Sequence, residues 1–198
     1  MNQIRVQSIE NFLPDALSYR EQLLASPFYD IRHSDGELYK HISVRPPDEI
    51  APHLAAHLGK KVTLDLCLGR VNYAGEQPNN AVHTDDSYSE FAYVLYLNLP
   101  EHCKGGTAFW RHKKHGWLGF PTDQEILRTG KSKHRICLML REEMNQLDAW
   151  EQIHLEEMAF NKCICYPTKQ WHSRWPFEAF GSDKSDARLI NVGFFSAE

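Results

Sequence analysis

Apolar and polar residues alternate in short runs along much of the chain, the period-two texture of strands with one buried face. Val62 to Tyr73, Phe91 to Asn98, Thr107 to Arg111, Ile153 to Met158, Lys162 to Tyr166, His172 to Trp175 and Arg188 to Phe195 are such runs, punctuated by Gly, Pro and Asn. Several strands of this kind predict a barrel or sandwich. Ahead of them, Pro14 opens a predicted helix to about residue 25, with Leu17, Leu23 and Leu24 on one face, and a second short helix fits about 48–58. Residues 27–47 carry Pro27, Gly36, Pro46 and Pro47 and read as a long loop with short strands. Residues 112–149 break the β texture: charged and helix-forming residues separate two strands by a segment too long for a hairpin loop. That segment either packs outside the barrel or covers its mouth.

Composition narrows the class. The 198 residues are 42% hydrophobic and 12% aromatic, enough for one sizeable core, and no repeat or low-complexity linker divides them. A single domain over 1–198 is expected, with helical support in 1–60, a β core in 61–111 and 150–196, and an insertion or lid in 112–149. The formal charge of −4 offers no basic excess for a phosphate backbone, which disfavours nucleic acid as an obligate partner. The amino-terminal residues lack an apolar signal core and no run of ~18 apolar residues occurs, so a soluble, cytoplasmic protein without a membrane partner is expected. Five cysteines without CxxC spacing argue against a disulfide framework or a four-cysteine zinc site; Cys163 and Cys165 alternate on an apolar strand and read as buried thiols. The basic runs Arg111–His115 and Lys131–Arg135 read as solvated faces.

Among eleven histidines, one pattern carries chemistry. In His83-Thr84-Asp85 an extended backbone points His83 and Asp85 to the same side. His172, on a distant β-type run, supplies a third donor. Two imidazoles and one carboxylate on one face of a metal leave positions open, the arrangement associated with non-haem Fe(II) that binds a co-substrate and dioxygen. The same donors with one open position also suit a zinc or manganese hydrolase or isomerase.

The ordered set is more specific than any member. Arg70-Val-Asn-Tyr73, His83-Thr-Asp85, Tyr93-Val-Leu-Tyr-Leu-Asn98, Gly105-Gly-Thr107, His172 and Arg188-Leu-Ile-Asn-Val-Gly-Phe-Phe195 resemble the Fe(II)/2-oxoglutarate dioxygenases, particularly their prolyl-4-hydroxylase-like branch. The resemblance implies a mainly β (α+β) double-stranded β-helix, or jelly-roll, barrel with amino-terminal supporting helices and a helical insertion. It implies His83, Asp85 and His172 as iron ligands and Arg188 as the cation that pairs the distal carboxylate of 2-oxoglutarate. Tyr73 and Tyr96 are similar in position to tyrosines that hydrogen-bond that co-substrate. The implied activity has 2-oxoglutarate chelating Fe(II), O2 taking the open position, and a C–H bond of a peptide side chain, amino acid or small metabolite hydroxylated as the co-substrate is converted to succinate.

Physical reasoning agrees for Arg188: a dianionic chelator needs a cation at its far end, and a guanidinium fork grips a carboxylate bidentately. Arg188 also begins a run that puts Ile190, Val192 and Phe194 on its own face. The spacing from His172 to Arg188 is longer than is usual in the family, because Phe180–Asp186 adds a polar loop, and Arg174 is the competing cation. A metal-binding jelly roll without catalysis, serving as a binding or regulatory module, shares the same ligands. Trp110, Trp117, Phe120, Trp171 and Trp175 are candidates to line the mouth under the 112–149 lid. Gly105 and Gly106 are assigned to backbone geometry. His53 and His57 lack the glutamate of HExxH and read as an exposed helix pair; His33, His41, His102, His112, His115, His134 and His154 read as structural or surface residues. Oligomeric state is not legible.

Overall fold

Ten strands form two antiparallel sheets in the computed structural model, which describes residues 3–32, 38–85 and 89–198. His33 and Gly36 lie outside the described residues. The strands are β1 (Gln7–Ile9), β2 (Tyr29–Arg32), β3 (Leu38–Val44), β4 (Val62–Asn72), β5 (Phe91–Tyr96), β6 (Gly106–His112), β7 (Trp150–Glu157), β8 (Cys163–Pro167), β9 (His172–Trp175) and β10 (Arg188–Ala197). The larger sheet runs β1-β8-β5-β10-β4-β3-β2 and the smaller β7-β6-β9. The strands do not close into one barrel: each sheet keeps its own edges.

The central strands of the large sheet are apolar on both faces because each face meets a different layer. Ala92, Val94 and Tyr96 of β5, Ile164 and Tyr166 of β8, and Ile190 and Phe194 of β10 pack together with Phe109 of the small sheet, so these side chains fill the space between the sheets. The alternate positions, Tyr93, Leu95, Cys163, Cys165 and Leu189, face outward onto α1 (Ala16–Ala25) and α2 (Ala51–Leu58). The Asp15 carboxylate caps α1 by accepting from the Ser18 backbone N–H at 3.1 Å, and Gly59, at φ +63°, ends α2 in the left-handed conformation that glycine adopts without a Cβ penalty. On α1, Leu23 is fully buried but Leu17 is 54% exposed. Arg20 takes the inward place expected of Leu17, its guanidinium donating to the backbone oxygens of Leu97 and Ser185. Burial of a cation there is offset by these two bonds.

The insertion packs on the far side of the small sheet. Its helices α3 (Asp123–Arg128) and α4 (Lys133–Glu143) bury Ile126, Ile136 and Leu140 against Trp110, Trp150 and Trp171. Trp110, Trp117 and Trp171, proposed above to line a mouth, are at most 6% exposed and belong to this outer layer, which Phe120 and Trp175 flank. His112 is likewise no part of a solvated basic run: it is 1% exposed and its Nε2 meets the Glu143 carboxylate at 2.8 Å. All five cysteines are free, with Cys67, Cys163 and Cys165 buried. Among the described residues no helix is long and apolar enough to cross a membrane.

One ion cluster ties the sheets together at their edge. The Glu156 carboxylate on β7 accepts from Ser8 Oγ of β1 at 2.7 Å, meets Lys162 Nζ at 2.9 Å and His154 Nε2 at 2.8 Å. Burial pushes this carboxyl up, but Lys162, Ser8 and His154 together outweigh it and bring its pKa to about 2. A depressed carboxylate contributes stability above its unfolded pKa that is lost as pH falls through the folded one. Glu156→Gln is therefore expected to cost ~1–2 kcal/mol near neutrality, allowing for partial solvent screening, and the deficit should vanish between about pH 4 and pH 2. Denaturant midpoints of the two proteins across that range measure it; a deficit that does not change with pH would contradict this account.

Candidate metal centre

His83 and Asp85 lie beyond β4 on the connection to β5, and His172 opens β9. A β-bridge brings them together: the backbone N–H groups of His83 and His172 each donate to the other's carbonyl, at 3.0 and 2.9 Å, and the Asp85 N–H donates to the Thr168 carbonyl at 2.8 Å. The extended backbone then places both side chains of the HxD tripeptide on the side of His172. One donor atom from each of His83, Asp85 and His172 lies within 4.8 Å of the others. His172 Nε2 is 3.1 Å from Asp85 Oδ2, and His83 Nε2 is 4.0 Å from Oδ1.

His172 Nδ1 lies 2.9 Å from the Gln170 carbonyl, which can only accept, so that nitrogen carries a proton; burial works against charge on the ring, but the Asp85 carboxylate at Nε2 and the Gln170 bond overcome it and hold the imidazole above its ordinary value. Burial, and then the adjacent His172, push the His83 imidazole down to about 4, which keeps it neutral and able to ligate. Burial works against charge on Asp85, but His172 and His83 overcome it and hold the carboxyl below its ordinary value. Once a cation displaces the proton that His172 Nε2 shares with Asp85, two neutral nitrogens and one anionic oxygen, converging with no polypeptide donor in opposition among the described residues, fit a divalent transition metal with open positions. His172 is 6% exposed at its side chain while His83 and Asp85 are 32% and 19% exposed, so access is from the loop side.

Deeper between the sheets, Arg188 starts β10 on the face of Ile190, Val192 and Phe194. It is 5% exposed; its Nε has no hydrogen-bond partner and its Nη1 reaches Asn72 Oδ1 only at 3.4 Å. Burial, with a further push from Arg70, lowers its pKa to about 10. A guanidinium so placed lacks, among the described residues, the anion that would offset its desolvation. Tyr96, fully buried on the same inner face, shares a 2.7 Å hydrogen bond with Thr107 Oγ1 of the small sheet.

A profile described as a family of unknown function (DUF6445) matches residues 76–195. The chain belongs to the DUF6445 family. The matched part of this DUF6445 chain holds His83, Asp85, His172 and Arg188. No curated protein matches its sequence. Among solved structures, the chain is similar to a prolyl-4-hydroxylase from Pseudomonas putida, with 14% identity and a TM-score of 0.51 over 99% of this chain and 94% of that one. It is also similar to AviO1 from Streptomyces viridochromogenes Tue57, with 11% identity and a TM-score of 0.51 over 100% of this chain and 91% of that one. At such identities the likeness is one of fold.

The DUF6445 chain thus brings His83, Asp85 and His172 together and sets Arg188 and Tyr96 in the inter-sheet space, but it does not bring Tyr73 there. Strand alternation on β4 turns Asn72 inward and Tyr73 outward, where its ring meets His41 edge-on at 4.8 Å and packs against the outer helical layer. Arg174 donates through Nε to the Phe177 carbonyl at 2.7 Å and through Nη2 to the Glu76 carbonyl. His53 and His57 pack on the Phe12 ring, and His57 Nε2 meets the Phe12 carbonyl at 3.1 Å.

Two residues without a role in the sequence reading join the site. Tyr166 on β8 lies with its ring 4.8 Å from that of His172, and burial, then the Asp85 charge, pushes its phenol well above the usual value. Arg70 on β4 pairs in register with Ile190 and Ile42 and so points into the same chamber. Tyr166 sits one residue from Cys165 in an apolar run, and only the strand period distinguishes it from its outward neighbour. Gly105, at φ +65°, makes the turn into β6 possible: a Cβ there would lie 1.9 Å from the Trp175 carbonyl oxygen.

Proposed function

We propose that this chain is an Fe(II)- and 2-oxoglutarate-dependent oxygenase built on a double-stranded β-helix, hydroxylating a C–H bond of a small molecule or peptide side chain. The observation that carries this reading is the pairing of a His83/Asp85/His172 donor set within 4.8 Å with a buried Arg188 that lacks an anionic partner. Iron(II) with 2-oxoglutarate supplies the dioxygen activation that no side chain here can provide. The chain's own residues do the rest. Gln170 holds the His172 tautomer, Asp85 contributes the single ligand charge, and the Asp85–Thr168 backbone bond fixes that carboxylate to the sheet. Arg188 grips the distal carboxylate of the co-substrate, and the Tyr96–Thr107 bond holds a phenol beside it. Tyr166, Ile190 and Phe194 wall the chamber and exclude water from it.

Anaerobic addition of Fe(II) and 2-oxoglutarate to the purified protein tests the reading. A visible charge-transfer band is expected, dependent on both additions and weakened in Arg188→Ala. No band in the intact protein would overturn it, and zinc- or manganese-dependent turnover without 2-oxoglutarate would replace it with a hydrolase or isomerase on the same ligands.

A further inference from the structure

Three guanidiniums face one chamber. Arg188 and Arg70 rise from the inner face of the large sheet, where Arg188 is paired in register with Asn72 and Arg70 with Ile190. Arg174 comes from the small sheet, where it pairs with Thr107, the residue whose hydroxyl meets inward-facing Tyr96.

Among the described residues their counter-charge is insufficient. Glu76, whose backbone carbonyl Arg174 already grips, has its carboxylate engaged by Asn72 Nδ2 at 3.1 Å and by His41 Nδ1 at 3.0 Å. Arg174 spends two donors on backbone carbonyls. Arg70 Nε is buried with no hydrogen-bond partner, and the Tyr39 ring lies 6.0 Å from its guanidinium carbon. With iron(II), Asp85, Glu76 and a co-substrate dianion in place, the three guanidiniums leave roughly one positive charge unbalanced among the described residues.

We propose that Arg70 and Arg174 form a second oxyanion site beside the metal centre, and that the substrate to be oxidised carries a carboxylate that docks there. This rests on the oxygenase reading, in which Arg188 is occupied by 2-oxoglutarate. One surplus charge suits a monoanion, and the free Nε edge of Arg70 suits the planar fork of a carboxylate. Docking on these arginines would hold the rest of the substrate over the loop-side opening at His83 and Asp85.

The test uses the full chain loaded with Mn(II) and saturated with N-oxalylglycine, a non-reacting analogue of the co-substrate, and titrated with hexanoate or its neutral match hexanamide. Hexanoate is expected to bind, with its proton resonances broadened by the nearby Mn(II), and hexanamide to bind at least ~10-fold more weakly. Arg70→Gln and Arg174→Gln should each weaken hexanoate ~10-fold or more while changing N-oxalylglycine affinity less than ~3-fold. Arg70→Lys keeps the charge without the fork, and should lose part of the affinity even if the glutamine variant does not fold. Equal binding of hexanoate and hexanamide would overturn the site. So would an Arg70→Gln effect as large on N-oxalylglycine as on hexanoate, which would assign Arg70 to the co-substrate. Inorganic phosphate binding more tightly than hexanoate would overturn the carboxylate assignment in favour of a phosphorylated substrate. If N-oxalylglycine fails to bind the Mn(II)-loaded protein, the oxygenase reading falls by itself; hexanoate binding that Arg70→Gln abolishes would still support the second site, and its absence would end both.

Discussion

Asp85→Ala is expected to yield a folded protein that no longer retains iron(II). In the proposed centre Asp85 would supply the one anionic ligand of the three, and its carboxylate lies between the two imidazoles, 3.1 Å from His172 and 4.0 Å from His83. Losing it removes a metal bond and the charge that draws a dication into a partly buried site, an effect of more than ~100-fold in affinity given that groups merely supporting a ligand are worth 10–100-fold. The fold should survive, because the Asp85 backbone bond to Thr168 does not involve the side chain. Thermal melts with and without metal give the measurement. A metal that binds only the native state at ~100 times its Kd adds about 2.7 kcal/mol, so the wild-type midpoint should rise by several degrees and that of Asp85→Ala should not move. An undiminished rise in the variant would place the metal elsewhere.

Arg188→Met is expected to move stability and binding in opposite directions. In the absence of co-substrate Arg188 is a cation 5% exposed, with an unpartnered Nε and one long contact to Asn72. Its lowered pKa has the sign of a charge that folding disfavours, so replacing it with an apolar side chain of similar length should leave the metal-loaded protein as stable as wild type or up to ~1–4 kcal/mol more stable. The same change should cost ~100-fold in N-oxalylglycine affinity, since a buried charge-assisted pair is lost on one side only. Melting and calorimetric titration of one variant deliver both numbers. Lower stability together with unchanged affinity would mean that Arg188 is a structural cation and that the distal carboxylate binds elsewhere.

Much of this site is legible along the chain because it is local or periodic. The HxD tripeptide puts two potential donors on one side of an extended segment, and Arg188 shares the parity of Ile190, Val192 and Phe194, which fixes its face as inward. The same parity, carried along β4 through Leu66 and Arg70, turns Asn72 inward and Tyr73 outward, so the assignment of Tyr73 to the co-substrate was out of step by one residue. The grouping of Arg70, Arg174 and Arg188 was not legible, since it depends on the register of β4 with β10 and of β9 with β6. The strand β1 has no signal in the sequence, because three residues with an exposed-exposed-buried pattern carry no period, and only pairing with β8 makes them a strand. Leu17 misled in the opposite way: its spacing fits the helix face, but that direction meets solvent.

The helical insertion has a consequence for how the chain tolerates truncation. It braces the small sheet from behind, with Ile126, Ile136 and Leu140 on Trp110, Trp150 and Trp171, while His172 and Arg174 project from the opposite face. Cutting residues 112–149 back to a short turn would leave every ligand in the chain, yet bare a contiguous indole surface on a three-stranded sheet. Patches of that kind self-associate. A shortened protein would be lost to aggregation before its chemistry could be assayed, and loss of activity in such a deletion would be no sign that the insertion touches substrate.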